Sequence, residues 1–349
     1  MKVKFPIFLP DATRGVVRSL DSQDLKSVGI EGLVVNTFHL LIQPGAKSLA
    51  RLGGVKKLMN WENLTVSDSG GFQLFSLVLK NPEMGKITED GVQFKYEVRG
   101  NMETYIITPE KSIQVQFAIG SDIKICLDYF SPPDGSRDAT AESVEKTISW
   151  AKRCRIEFEK QLKIYTHTGK HKPKLFCVVQ GGKYPDLRER CAQELLKIGF
   201  DGFGLGGWPS REEVELIAKI LPAGSELFAL GVGDLKSIAH AHSVGFNYFD
   251  CVLPTRDARH KRLYVLTKDL TKVHDLANDT YHEYVYFSKA ILSHDTNPID
   301  KTCDCLVCAQ YSRAYLYHLF KIGDSLAWRL ASLHNLRTYT RLIDELRRR

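Results

Sequence analysis

The chain has 349 residues, 43% of them hydrophobic and 26% charged, the balance of a folded soluble protein with room for one large α/β domain plus an appendage, or for two ordinary domains. A net charge of +7 suits a polyanionic partner without requiring one. No apolar run reaches the roughly 18 residues of a membrane helix. The start lacks the apolar core of a secretory signal, and eight cysteines, five scattered and three clustered, are not a disulfide framework, so a reducing cytoplasm is expected.

In chain order, short apolar runs alternate with helical patterns. GLVVN ends at Asn36 and LTVSD at Asp68. TPEKSIQVQFAIG then reads as a helix, with Pro109 in its first turn and Glu110 favouring the dipole. IKICLD reaches Asp128, and DATAESVEKTISWAKRCRIEFEK predicts a helix capped by Asp138. LFCVVQ to Gln180, GFGLGG to Gly207, LFALGVG to Gly233 and YFDCVLP around Asp250 follow, with helices predicted in YPDLRERCAQELLKIGF and SREEVELIAKIL. Runs without alternation suit parallel strands covered on both faces.

Seven strand–helix units are countable, with an eighth expected at either end. Such a repeat gives a (β/α)8 TIM barrel or an open doubly wound sheet. The barrel is favoured because polar residues and glycines close at least six strands, whereas an open sheet gathers its site at one switch point. The expected division is a catalytic barrel over 1–285 and a zinc-binding C-terminal subdomain over 286–349.

Paired carboxylates at a barrel mouth suit glycosyl transfer: one attacks the anomeric carbon and the other moves the leaving group's proton. The plain alternative for any one Asp at a strand end is a helix cap. The basic run PTRDARHKR suits single-stranded RNA, although such runs are commonly solvated faces. Cys303, Cys305 and Cys308 in CDCLVC suit tetrahedral zinc, with His318 and His334 as candidates for the fourth ligand. Cys126, Cys154, Cys177, Cys191 and Cys251 lack a pattern and are expected in the core.

DSGGFQ (68–73), VVQGG (178–182), FDGFGLGG (200–207), LGVGD (230–234) and FDCVLPTRDAR (249–259) resemble, in that order, motifs of the bacterial tRNA-guanine transglycosylase (queuine tRNA-ribosyltransferase) family. NTFHLLIQPG (36–45), CDCLVCAQYSRAYLYHLF (303–320) and LHNL (333–336) extend the resemblance along nearly the whole chain. It implies a pentosyltransferase that exchanges the wobble guanine of tRNA for a 7-deazaguanine, in queuosine modification. Asp250 would be the nucleophile and Asp68 the general acid/base. Asp128, Gln180, Gly206, Gly207, Phe72 and Leu230 would bind the base, and Arg256 and Arg259 the anticodon loop. His334 would complete one structural Zn2+ site with Cys303, Cys305 and Cys308, and the protein would be a cytoplasmic homodimer.

This chain departs from the family pattern at Leu127-Asp128-Tyr129-Phe130, at Trp208-Pro209-Ser210, at Gln43 and in a short N-terminus. The first two departures touch the region that reads the base's seven-substituent, leaving 7-aminomethyl-7-deazaguanine, its nitrile precursor and queuine open. Two other readings are a deazaguanine transglycosylase acting on DNA and a noncatalytic tRNA-binding partner subunit.

Overall fold

The computed structural model describes residues 3–98, 100–130, 134–166, 171–207 and 209–349. Eight strands carry the architecture: β1 (Ile7–Pro10), β2 (Gly32–Asn36), β3 (Leu64–Asp68), β4 (Ile123–Ile125), β5 (Lys174–Val178), β6 (Gly202–Leu205), β7 (Leu227–Ala229) and β8 (Tyr248–Cys251). Every residue of β1, β2, β4, β6 and β7 is buried, which is why these runs are apolar without alternation. Their order is β1-β8-β7-β6-β5-β4-β3-β2, the strand order of a (β/α)8 barrel. β1 pairs in parallel with β8, setting Leu9 opposite Asp250. Each of the seven apolar runs holds one of these strands, and the eighth is IFLP at the start of the chain.

The chain forms two compact units, one of residues 13–15 and 34–230, the other of residues 1–12, 16–33 and 231–349. In the first, the helix Pro109–Ile119 begins as its sequence requires: the Thr108 side chain accepts from the Lys111 N–H, and Pro109 takes the position whose missing donor costs nothing. Ser210 and Glu213 form a capping box at the head of Arg211–Ile220. The long helix Arg137–Thr166 starts a residue before Asp138, which sits in the first turn instead of capping it. The cap role falls to Ser136, whose hydroxyl accepts from Ala139 N–H at 3.3 Å. A three-stranded antiparallel sheet, Gly85–Ile87, Val92–Val98 and Asn101–Ile107, is inserted between β3 and β4.

In the second unit, β8 is followed by the short helix Leu253–Arg259 and the hairpin Arg262–Leu266 with His282–Tyr286. The helix Ser325–Leu346 packs against the helix Leu253–Arg259, the strand Arg262–Leu266 and β1, and its residues 330–336 are buried all round. Its Asn335 is fully buried and bonds three backbone groups. Its oxygen accepts from Tyr264 N–H at 3.2 Å, and its amide donates to the carbonyls of Pro254 at 2.9 Å and Arg262 at 3.1 Å. Replacing Asn335 with Ala strands the Tyr264 N–H and the Arg262 carbonyl, so urea unfolding should show a loss of about 2–4 kcal/mol, at about 1–3 kcal/mol for each buried group left unpaired.

Candidate active site and metal centre

Within the unit of residues 34–230, β3 to β7 run parallel, so the residues following their carboxyl ends share one edge. Asp68 closes β3. Its Oδ2 accepts from Asn36 Nδ2 at 2.8 Å, and its Oδ1 accepts from the N–H groups of Thr37 at 3.1 Å and Gly70 at 3.0 Å. The Thr37 hydroxyl donates to the Asp68 carbonyl. Gly70 makes this possible: it turns the chain at φ +76°, and a Cβ there would lie 2.8 Å from the Phe38 nitrogen. The helix Gly71–Lys80 starts directly after it. The two glycines thus bring a backbone donor back onto the carboxylate and open a helix.

Asp128 lies three residues beyond β4, and Gln180 two beyond β5. Gln180 is 5% exposed, and its Nε2 donates to Asp128 Oδ2 at 2.7 Å. Burial lifts the Asp128 carboxyl to a pKa of about 6, against the opposing hydrogen bonds from Gln180, the backbone and Ser69. Leu230 packs over the glycines of the β6 end: its N–H donates to Leu205 O at 2.8 Å, and its Cβ is 3.5 Å from where a Cβ on Gly206 would sit.

The two aromatic residues after Asp128 part ways. Tyr129 turns toward the helix Arg137–Thr166, meeting Phe75 and Trp150 edge-on at 5.1 and 6.0 Å. Phe130 instead lies against Gly207, where a Cβ would be 2.6 Å from the ring, and meets Phe72 edge-to-face at 5.6 Å. Phe72 is 44% exposed, so its ring is not core. Phe130 thus joins Phe72, Gly206 and Gly207, whereas Tyr129 does not. Trp208 lies outside the described residues.

Within the unit that contains β8, Asp250 occupies the third position of that strand, and its Oδ1 accepts from Gly231 N–H at 2.9 Å. The helix Leu253–Arg259 carries Arg256, which is exposed, and Arg259, which is half-buried and donates to Thr255 O at 3.0 Å. Burial first, then the neighbouring charge of Arg18, lowers the pKa of Arg259. Arg262, the last base of the run, is committed elsewhere. It pairs with buried Asp257 at 2.7 Å and lies 4.8 Å over the Tyr284 ring.

The thiol sulfurs of Cys303, Cys305 and Cys308 and a ring nitrogen of His334 all lie within 4.8 Å of one another. His334 Nδ1 is 3.7 Å from Cys305 Sγ and 3.2 Å from Cys308 Sγ. Its Nε2 lies 2.6 Å from Tyr264 O, an acceptor, so Nε2 carries the proton and Nδ1 turns its lone pair toward the sulfurs. Hydrogen bonds from the Cys303 and Cys308 thiols hold the Cys305 sulfur far below the usual thiol range. Arg337 fixes Asp304, between two of the cysteines, with bonds of 2.7 and 2.8 Å. The donor set fits a tetrahedral metal ion and is consistent with zinc. The fourth member is His334; His318 is exposed on the helix Arg313–Ile322. The five scattered cysteines are all buried.

An eight-stranded parallel α/β enzyme scaffold with carboxylates at strand ends and a Cys3His cluster defines the class. The family model described as "Queuine tRNA-ribosyltransferase" matches residues 1–349. Among curated relatives, the queuine tRNA-ribosyltransferase of Thermodesulfovibrio yellowstonii is 36% identical over 349 residues, covering 98% of this chain and 84% of that protein. That of Thermoanaerobacter pseudethanolicus is 37% identical over 352 residues, covering 99% and 86%, and that of Mannheimia succiniciproducens 36%, covering 99% and 85%. The chain belongs to the queuine tRNA-ribosyltransferase family, a family of glycosyltransferases.

Sequence reading did not find Asp257, Tyr264 or Tyr339, which surround the Asp250 segment through buried hydrogen bonds. Asp257 stood inside the basic run, and that placement was its only signal.

Replacing Cys305 with Ser removes one of four soft donors. Metal content of the purified protein should fall well below one per chain, with lower soluble yield; an unchanged metal content would mean a different ligand set.

Proposed function

We propose that this chain exchanges the wobble guanine of tRNA for a 7-deazaguanine through a covalent enzyme–ribose intermediate. The reading is carried by the presence of both Asp68, which closes β3, and Asp250, next to the last residue of β8, each hydrogen-bonded by a backbone N–H of a glycine, in a chain that matches the family model from end to end.

In this reading, an Asp250 oxygen attacks C1′ of the target nucleotide. The C1′–N9 bond breaks, and its electrons go to the guanine. Asp68 delivers the proton that lets guanine leave, then takes one from the incoming base, whose N9 attacks C1′ and releases Asp250. Two displacements retain configuration at C1′, and no phosphodiester bond is touched. The Gly231 N–H fixes one Asp250 oxygen and so directs the carboxylate. The base is held by Asp128, which accepts from the amine and ring N–H of a guanine-like edge, and by Gln180, an amide that donates and accepts.

Phe72 is the stacking partner, Gly206, Gly207 and Leu230 form the wall, and the Phe130–Gly207 contact is where the seven-substituent would be read. Arg256 and Arg259 take the uridines flanking the target, as guanidinium forks suit splayed bases and phosphates. Zinc would be held by Cys303, Cys305, Cys308 and His334, a full tetrahedral set that leaves no position for substrate and acts as a crosslink. The same reading carries a cytoplasmic homodimer, for which exposed Leu306 and the stacked pair Tyr311–Tyr315 beside the cysteines offer an apolar surface.

Asp250→Asn should abolish the RNA adduct seen on denaturing gels with an anticodon stem-loop and guanine, while leaving the unfolding midpoint unchanged. A persistent adduct would overturn the nucleophile assignment.

Base binding should also depend on pH. With its carboxyl raised to about 6, Asp128 is neutral below that pH and charged above it. Only the charged form accepts from both donors, so KM for guanine should rise as pH falls through about 6 and level off above it. A KM that stays flat across that range would remove Asp128 from the base contacts.

A further inference from the structure

The segment Gly231-Val232-Gly233-Asp234 joins the β7 end to the helix Leu235–Ser243 and carries the N–H that holds Asp250. It is pinned on several sides. Asp234 caps the helix, accepting from the N–H groups of Lys236 and Ser237 at 3.1 Å each. Gly233 lies flush against the residue after Asp250: a Cβ there would fall 1.9 Å from Cys251 Sγ, so no side chain fits between the turn and the strand. The remaining hold comes from far along the chain. The Tyr339 hydroxyl, on the helix Ser325–Leu346, donates to Gly233 O at 2.6 Å.

Tyr339 is itself over-determined. Its residue is 1% exposed. Its ring lies 4.7 Å from that of Phe8 on β1, the strand paired with β8, and 5.4 Å edge-on from that of Tyr264. The Tyr264 hydroxyl lies 3.1 Å from that of Tyr339 and donates to Asp257 Oδ2 at 2.8 Å, and Asp257 is paired with Arg262. Two phenol protons therefore serve three contacts. The ion-paired Asp257 carboxylate takes the proton of Tyr264, which leaves that of Tyr339 for Gly233. Tyr264 is tied in turn through its backbone, its N–H to Asn335 and its carbonyl to His334.

We propose that Tyr339 is a positioning residue for Asp250: its hydroxyl fixes the Gly231–Gly233 turn and thereby the N–H that aims the carboxylate. Nothing in this role requires Tyr339 to touch the substrate. The proposal rests on the assignment of Asp250 as nucleophile. Leu230, the base-wall residue next to the turn, keeps its own bond to Leu205 O, and the other residues that bind base and RNA lie outside the turn, so the cost falls on the attack step. A loss of aim acts on the transition state alone, where small displacements are expensive.

The test uses the full-length protein with labelled guanine and an anticodon stem-loop RNA. Tyr339→Phe deletes one oxygen and keeps the ring. It should lower kcat about five- to tenfold, the size of one buried hydrogen bond, while KM for base and for RNA stay within about twofold. Hydrogen exchange of the peptide spanning residues 230–235 should quicken, with exchange in the helix Ser325–Leu346 unchanged.

A kcat within about twofold of the parent protein, or KM values that rise in step with the fall in kcat, would overturn the proposal. Should Tyr339→Phe fail to fold, 3-fluorotyrosine at position 339 replaces it, keeping the ring and altering only the strength of the hydroxyl as a donor to Gly233. A change in kcat of about two- to threefold with KM unchanged is then expected, and an unchanged kcat overturns the proposal. Asp250→Asn runs alongside. An adduct persisting in that variant defeats the nucleophile assignment, whereas its absence together with an unaffected Tyr339→Phe defeats only the role of Tyr339.

Discussion

A carboxylate at the end of a buried strand stays charged and aimed only if donors surround it, and in this chain the donors are mostly backbone N–H groups. Asp68 is served by the N–H groups of Thr37 and Gly70, and Asp250 by that of Gly231. The same device recurs away from the site, where Asp122 accepts from Thr65 N–H and Asp201 from Leu175 N–H, each at 2.8 Å. Strand ends supply such groups in number, because the ladder stops there and the next N–H groups have no strand partner. The fold offers this chemistry before any specific side chain is chosen.

Asp128 is the exception, and the exception is informative. Its partners include the Gln180 amide and the Ser69 hydroxyl as well as its own backbone, and burial dominates, so its pKa rises. What sets Asp128 apart is burial, which outweighs its hydrogen bonds and leaves its charge dependent on pH near 6.

What was legible in the sequence was whatever local spacing encodes. Apolar runs ending in Asn, Asp, Gln or Gly marked seven strands and their polar ends, and three cysteines in six residues marked the metal cluster. The antiparallel insertion over 85–107 was missed because its strands are partly exposed and carry charges on the open face, so they resemble loops. The direction of Tyr129 was equally hidden, since nothing in Leu-Asp-Tyr-Phe says which ring turns to a helix. Tyr339 was the least visible of all. Its partners lie 75 and 106 positions away, and a tyrosine on a helix looks like any other packing residue until those positions meet.

The helix Ser325–Leu346 reaches back across the whole chain. Arg329 pairs with Asp24, Thr340 donates to Val28 O, and Arg347 donates to Pro6 O, at separations of 305 to 341 residues. During synthesis these amino-terminal segments leave the ribosome long before their partners exist. Residues 34–230 form a compact unit of their own, whereas the segments before them wait for these partners until residues beyond 231 emerge. Translation speed through the last third of the message, and the chaperones that shield a nascent chain, thus become determinants of how much of this protein reaches its native state.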